Sequence, residues 1–448
     1  MFAPSSEHAF KVGESPGPNM PYSRDLASNY GRFESFTMKR AELCFLVSLV
    51  KMKFFVDIII KDVLFSHGLD LTHYLEQDGV KSNKSLPYWS IFWRYFIADF
   101  LFSYLIVTTA VVGVWRGTWD YSTYYLDQLA FQGEKYKSLI FVFVIGFVGI
   151  QFVQTSHFIF KKYTLKQKSK LNYRFNSKLF SLFWGVMDIY FWRGVWETID
   201  YVFLPYTIKP ILGSFTLLIG VFALTMTKSF RSSLSLPTGI TLDDESNRVY
   251  AYTYYETNAE SSVFLIIKDS LVSTILEGFV VASWHGIWVL TDVFSYDYLG
   301  LSNITVALSS YSMGLGIGIV CLYAQFPFYH TIWANDQKSA FSKYFTNFLF
   351  TLISLVSTVW TFRGVWYSYD AFFLTIDRNS SLVLAQLIGL LTLFSINCGS
   401  CLHAGIIRDL DEKDGLITPY HYFSYYFFRE LTEKDAENEH SNDSKFVS

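Results

Sequence analysis

The chain is written in long apolar runs separated by short polar and charged stretches. Eight of these runs are long enough to cross a hydrocarbon core of about 30 Å as helices. They are residues 90–114, 138–160, 177–196, 206–227, 263–290, 302–324, 344–366 and 381–403. The stretch Ala41–Phe65 does not belong with them. It carries Lys51, Lys53, Asp57, Lys61 and Asp62, and each ion at mid-bilayer would cost about 2.5–3.5 kcal/mol. Leu43, Val47, Val50, Phe54 and Ile58 recur at helical steps, which predicts an amphipathic helix on the membrane surface or packed on the bundle. The resulting division is a disordered cytosolic tail over 1–40, the interfacial helix and a linker over 41–84, an eight-helix membrane domain over 85–408, and an acidic cytosolic tail over 409–448.

Composition narrows the class. Of 448 residues, 51% are hydrophobic and only 17% charged, below the roughly 25% charged of a soluble domain. A net charge of −3 lacks the basic footprint of a nucleic-acid partner. Cys44, Cys321, Cys398 and Cys401 are too few for a disulfide scaffold. Residues 1–40 have neither the basic start nor the apolar stretch of a signal peptide. With no Gly-x-Ser-x-Gly, His-Glu-x-x-His or P-loop, nothing supports an enzyme, a metal or a cofactor. The expectation is an all-α polytopic protein whose solvent partner is the lipid bilayer.

Loop charge sets the orientation. The connections 161–178, 228–262 and 325–343 hold twelve basic residues, the four opposite loops six (Arg116, Lys135, Arg193, Lys209, Arg363 and Arg378). Short basic loops stay in the cytosol, so both termini are expected there. Two asparagine sequons, Asn303-Ile-Thr305 and Asn379-Ser-Ser381, then fall outside and are glycosylation candidates.

An internal repeat organises the runs. Trp115-Arg116-Gly117-Thr-Trp119, Trp192-Arg193-Gly194-Val-Trp196, Trp284-His285-Gly286-Ile-Trp288 and Phe362-Arg363-Gly364-Val-Trp366 align without gaps, in steps of 77, 92 and 78 residues. Four residues beyond each final Trp stand Thr123, Asp200, Asp292 and Asp370. Each motif sits at the expected outer end of an odd-numbered run. This predicts four parallel two-helix repeats (about 90–160, 177–227, 263–324 and 344–403) about an axis along the membrane normal. Gly suits a helix C′ position or a kink, Arg the negative helix end, and Trp the interfacial belt. Arg193, His285 and Arg363 stand seven residues before Asp200, Asp292 and Asp370, so the members of each pair would share a helix face. Guanidinium stacked on indole is a further expectation. The functional counterpart is a ring of three Arg and one His at an outer vestibule, drawing anions or gating a path.

Ionisable residues at membrane depth are functional candidates because they are costly. Asp188 and Glu277 lie deepest. Arg94, Asp99, Lys268 and Asp269 sit nearer the cytosolic ends, where they could snorkel. Met313-Gly-Leu-Gly-Ile-Gly318 contains a GxxxG element, Gly314 to Gly318, suited to close helix approach. Cys398-Gly-Ser-Cys401-Leu-His403 reads as small, polar packing inside the eighth run.

With its repeated Trp-Arg-Gly-x-Trp motifs and eight runs, the chain resembles the Fuseless family of invertebrate membrane proteins over about 85–408. The resemblance implies an eight-pass neuronal plasma-membrane protein needed for presynaptic calcium-channel organisation and transmitter release. It supplies no catalytic or ligand residues. Two functions remain open: an organising protein for a calcium channel or its associates, and a transporter or channel with its path between the repeats.

Overall fold

Long apolar segments in lipid must satisfy every backbone group internally, and helices do so locally. The computed structural model describes residues 97–165, 170–203, 208–234, 240–243, 253–257, 261–328, 339–373, 377–403, 405–406, 409 and 423. Among them stand eight long helices and no strand: α1 (Ile97–Ala130), α2 (Lys135–Leu165), α3 (Lys170–Phe203), α4 (Lys209–Met226), α5 (Val263–Asp292), α6 (Asn303–Phe328), α7 (Ala340–Phe372) and α8 (Arg378–Ser395). Five of these, α1, α2, α4, α6 and α7, are long and apolar enough to cross a membrane. The described residues belong to the unit Thr72–Ser448, while a second unit, Met1–Leu71, holds the expected tail and interfacial helix and lies outside them. So do Arg94 and all of the acidic tail beyond Asp409 except Phe423.

Helix starts follow side-chain capping. Ser262 accepts from the Leu265 N–H, Ser339 from Ser342 and Asp377 from Asn379, while Pro210 opens α4 where no N–H partner is needed. The expected eighth run is too long. α8 stops at Ser395, and Gly399–Leu402 is a separate 3-10 turn, so the Cys398–His403 segment is not helical packing. The chain leaves α8 through Asn397 at φ 54°.

The closest helix pairs are α2 with α3, α4 with α5, α6 with α7, and α8 with α1. Each even helix therefore packs on the odd helix after it rather than on its expected repeat partner, and α8 closes the circle. The odd helices also touch one another in turn, α1 to α3 to α5 to α7 and back to α1. They form an inner ring with the even helices wedged around it. Exposure follows this arrangement. Leu218, Phe222 and Met226 of α4 and Leu387 and Leu391 of α8 turn outward, whereas Val111, Ile189, Val281 and Val359 of the odd helices are buried.

Glycine permits the close approach of each pair. A Cβ at Gly117 would come under 3 Å from α8 (Gln386), at Gly194 from α2 (Phe143), at Gly286 from α4 (Leu217) and at Gly364 from α6 (Tyr311). The even helices reply one turn later: Gly146, Gly220, Gly314 and Gly389 each meet backbone of the paired odd helix. The expected GxxxG thus splits its roles. Gly314 faces α7 at Thr361 and Gly318 faces Tyr104 of α1.

Candidate functional site

The four motifs meet on the inner ring. Their first aromatics form a closed tetrad: Trp115–Trp192 at 5.2 Å between ring centroids, Trp192–Trp284 at 5.4 Å, Trp284–Phe362 at 5.4 Å and Phe362–Trp115 at 5.9 Å. Every contact is edge-to-face, the arrangement favoured by ring quadrupoles. Four residues on, the final tryptophans repeat the figure. Trp119–Trp196, Trp196–Trp288, Trp288–Trp366 and Trp366–Trp119 lie 6.3, 5.7, 6.2 and 6.3 Å apart with planes at 89–90°. Two stacked aromatic layers therefore fill the middle of the bundle. The motif is helix interior, not a helix end: α1, α3, α5 and α7 all run on past it. This corrects the interfacial-belt expectation, because rings that find partners across an axis bury more area than rings left at an interface.

Beside the second layer runs a polar belt, each Arg or His paired with an acid of the preceding odd helix. Arg116 donates to Asp370 at 2.8 Å, Arg193 to Asp127 at 2.8 Å, and Arg363 through Nε to Asp292 at 3.0 Å. His285 Nε2 lies 3.2 Å from Asp200. The seven-residue pairs expected along single helices are not made, since each acid reaches the next helix instead. Repeat one has Thr123 where the others have Asp, and its belt acid is Asp127, four residues later. A wide π-helical stretch at Thr123–Ala130 ends α1 and holds Asp127 there. An even-helix hydroxyl completes each place: Ser381 at Arg116, Ser138 at Arg193, Thr216 at His285 and Ser310 at Arg363. Glu197 adds a second carboxylate to Arg193 at 3.0 Å.

The side chains of Arg116, Arg193, His285 and Arg363 are 0–3% exposed. A vestibule ring would need free, hydrated guanidinium groups, and these are buried and occupied. Nor do they stack on indole: Arg363 lies 4.7 Å from the centroid of Tyr367, and Arg116 5.9 Å from that of Tyr369. Asp127, Glu197 and the four hydroxyls were not visible as site residues in the sequence. Their only signal was the missing acid at position 123.

Below the first tetrad lie the deep acids. Glu277 of α5 accepts from the Trp192 indole N–H at 3.1 Å, and Asp188 of α3 accepts from Trp184 at 3.1 Å. The tetrad's other indoles are held by backbone carbonyls, Trp115 by Leu402 at 3.1 Å and Trp284 by Ser233 at 2.9 Å. Both carbonyls belong to short 3-10 turns, Phe230–Ser233 and Gly399–Leu402, that follow α4 and α8. His403 stacks on Trp184 at 3.6 Å. Asp269 is not a snorkelling residue. It is buried and accepts from Thr253, Tyr255 and Thr257. Asp99 is likewise buried and accepts from the Phe423 N–H. Asn303 and Asn379 are exposed at the starts of α6 and α8. Among the described residues no His, Cys, Asp and Glu group could hold a metal ion.

Chemically, the arrangement offers, among the described residues, no exposed nucleophile or acid–base pair on the axis. It offers a neutralised, ring-filled core whose paired charges link neighbouring helices. No curated protein and no solved structure matches the chain. The Fuseless family model matches residues 94–402, the segment that carries all eight helices and both tetrads, and the chain belongs to that family.

Proposed function

We propose that this protein is an eight-pass neuronal plasma-membrane scaffold that acts in synaptic transmission by organising or supporting presynaptic calcium channels, with both termini cytosolic, and that it is neither an enzyme nor a conduit. The observation that carries the reading is the filled axis. Two aromatic tetrads and a belt of buried ion pairs occupy the place where a central path between repeats would run. The same register of tetrads, four residues apart on all four odd helices, supports four parallel repeats. The 18-residue length of α4 and α8 corresponds to about 27 Å of helix, close to a hydrocarbon core. Loop charge supports the orientation, and the exposed Asn303 and Asn379 are its glycan reporters.

Purified protein in liposomes should pass no anions, cations or amino acids. Sustained flux by wild type would replace this reading with the transporter or channel. In neurons lacking the protein, full-length chain should restore calcium-channel clustering. A chain lacking residues 424–448, which keeps every described contact, should reach the membrane yet fail to restore it.

A further inference from the structure

The outer helices α4 and α8 leave through the same kind of turn. Lys228 and Asn397 take φ 50° and 54°, and a 3-10 turn follows each, Phe230–Ser233 and Gly399–Leu402. The two match residue by residue. The Ser232 N–H donates to the Ser229 carbonyl and the Cys401 N–H to the Cys398 carbonyl, both at 3.0 Å. The next carbonyls, Ser233 and Leu402, hold the Trp284 and Trp115 indoles. Where the first turn has Ser229 and Ser232, the second has Cys398 and Cys401. The fold therefore builds this turn with hydroxyls as well as with thiols, and packing alone does not account for the cysteine pair.

Spacing brings the two sulfurs together. Residues i and i+3 eclipse in a 3-10 turn, and the Cys398 thiol lies within hydrogen-bonding reach of Cys401. That contact, burial and the Asp243 carboxylate push the Cys398 thiol up, so it stays protonated. Cys398 is 0% exposed and Cys401 8%, so Cys401 is the one an oxidant meets first. Its sulfur also holds the connection between α4 and α5. It accepts from the Thr241 N–H and donates to the Thr241 carbonyl, each at 3.3 Å. Two residues on, Asp243 grips the same turn separately. It accepts from the Gly399 and Ser400 N–H groups at 2.9 and 2.8 Å and from the Ser400 hydroxyl at 2.6 Å.

We propose that Cys398 and Cys401 form a reversible redox site, a dithiol that hydrogen peroxide closes to a disulfide and that thereby releases Thr241. The Cys401 sulfur attacks a peroxide oxygen; an S–O bond forms, the O–O bond breaks, and the departing hydroxide takes the thiol proton as water. The Cys398 sulfur then attacks the resulting sulfenic acid; the S–S bond forms, the S–O bond breaks, and a second water leaves with the Cys398 proton. Two thiols are oxidised and one peroxide is reduced. Once bridged, Cys401 has no S–H for the Thr241 carbonyl, and its sulfur turns from the Thr241 N–H toward Cys398. The Asp243 contacts involve neither sulfur and persist. The site rests on the orientation proposed above, which places it in the reducing cytosol, where such bridges are transient and redox-sensing. Glycans on Asn303 and Asn379 test that orientation separately.

The experiment takes the full-length protein in detergent, reduced and then exposed to hydrogen peroxide. Mass spectrometry of the peptide carrying both cysteines should show the Cys398–Cys401 bridge. The Thr241 amide should then exchange roughly tenfold faster, while Gly399 and Ser400 keep their rates, and dithiothreitol should reverse the change. Cys398→Ser, which copies Ser229 of the matching turn, should fold and lose the peroxide response at Thr241. Oxidation of Cys401 without a bridge, no oxidation at either residue, or a bridge that leaves Thr241 exchange unaltered would overturn the proposal. So would a Cys398→Ser protein that still responds.

Discussion

A guanidinium taken out of water is tolerated only where its nitrogens find acceptors, and the belt arginines meet that condition through two elements at Arg116 and Arg363 and three at Arg193. Arg363 spends Nε and Nη2 on Asp292 and Nη1 on Ser310, with Tyr367 beneath it donating to the same carboxylate at 3.1 Å. Removing one partner leaves a buried charge, which costs about 3–5 kcal/mol, whereas replacing both partners by apolar groups of similar volume is often neutral. Asp292→Leu, which strands the fully buried Arg363, should therefore lower thermal stability in detergent sharply. Arg363→Met combined with Asp292→Leu should recover much of the loss, as read by a double-mutant cycle. Additive losses would mean that the pair carries no buried coupling. At this scale the sequence spoke partly. The types Arg, His and Asp at fixed spacing were legible, because charges stand out in apolar runs. Their partners were not, since spacing along one helix says nothing about which neighbouring helix an acid will reach.

Between helices, the deciding residues are the smallest ones. Gly286 sits where a methyl would strike the backbone of Leu217, and Gly364 where it would strike Tyr311. Gly278, on α5 as well, has nothing within 4 Å of an added Cβ. Gly286→Ala and Gly364→Ala should thus force α4 from α5 and α6 from α7, lowering folded yield in size-exclusion chromatography. Gly278→Ala should be tolerated or gain up to about 1 kcal/mol from helix propensity. If all three behaved alike, the glycines would be serving propensity rather than approach. Their pattern explains why the motif resembles a helix end in the sequence. Gly followed by Trp is also the signature of a helix terminus at an interface, and only the facing helix distinguishes the two. The helices themselves were legible from 3.6-residue geometry and run length. The 3-10 turn after α8 was hidden because Ile396, Cys398, Cys401 and Leu402 continue the apolar composition past Ser395.

For the molecule as a whole, the organising fact is circular closure. A chain of four hairpins could stop as an open row, in which case the acid of the last repeat would have no cation and the arginine of the first no acid. Instead Asp370 reaches Arg116, Trp366 reaches Trp119, and Gln386 of α8 donates to Thr118 of α1 at 3.0 Å. Repetition was visible in the sequence, but repetition suits rows and rings alike. What distinguishes the ring is the pairing of Asp370 with Arg116, which no spacing along the chain reveals. Closure has a mechanical consequence: helices at opposite ends of the chain share one interface and should separate only when the whole ring opens. Cysteines placed at Thr118 and Gln386 should therefore cross-link within a single chain under mild oxidation, giving a faster-migrating monomer band on non-reducing gels. That cross-link should raise the melting temperature more than one placed between α2 and α3, because it joins segments more than 250 residues apart and removes the most unfolded-state entropy. Cross-linking between chains instead of within them would show that the first and last helices meet in a partner rather than in one ring.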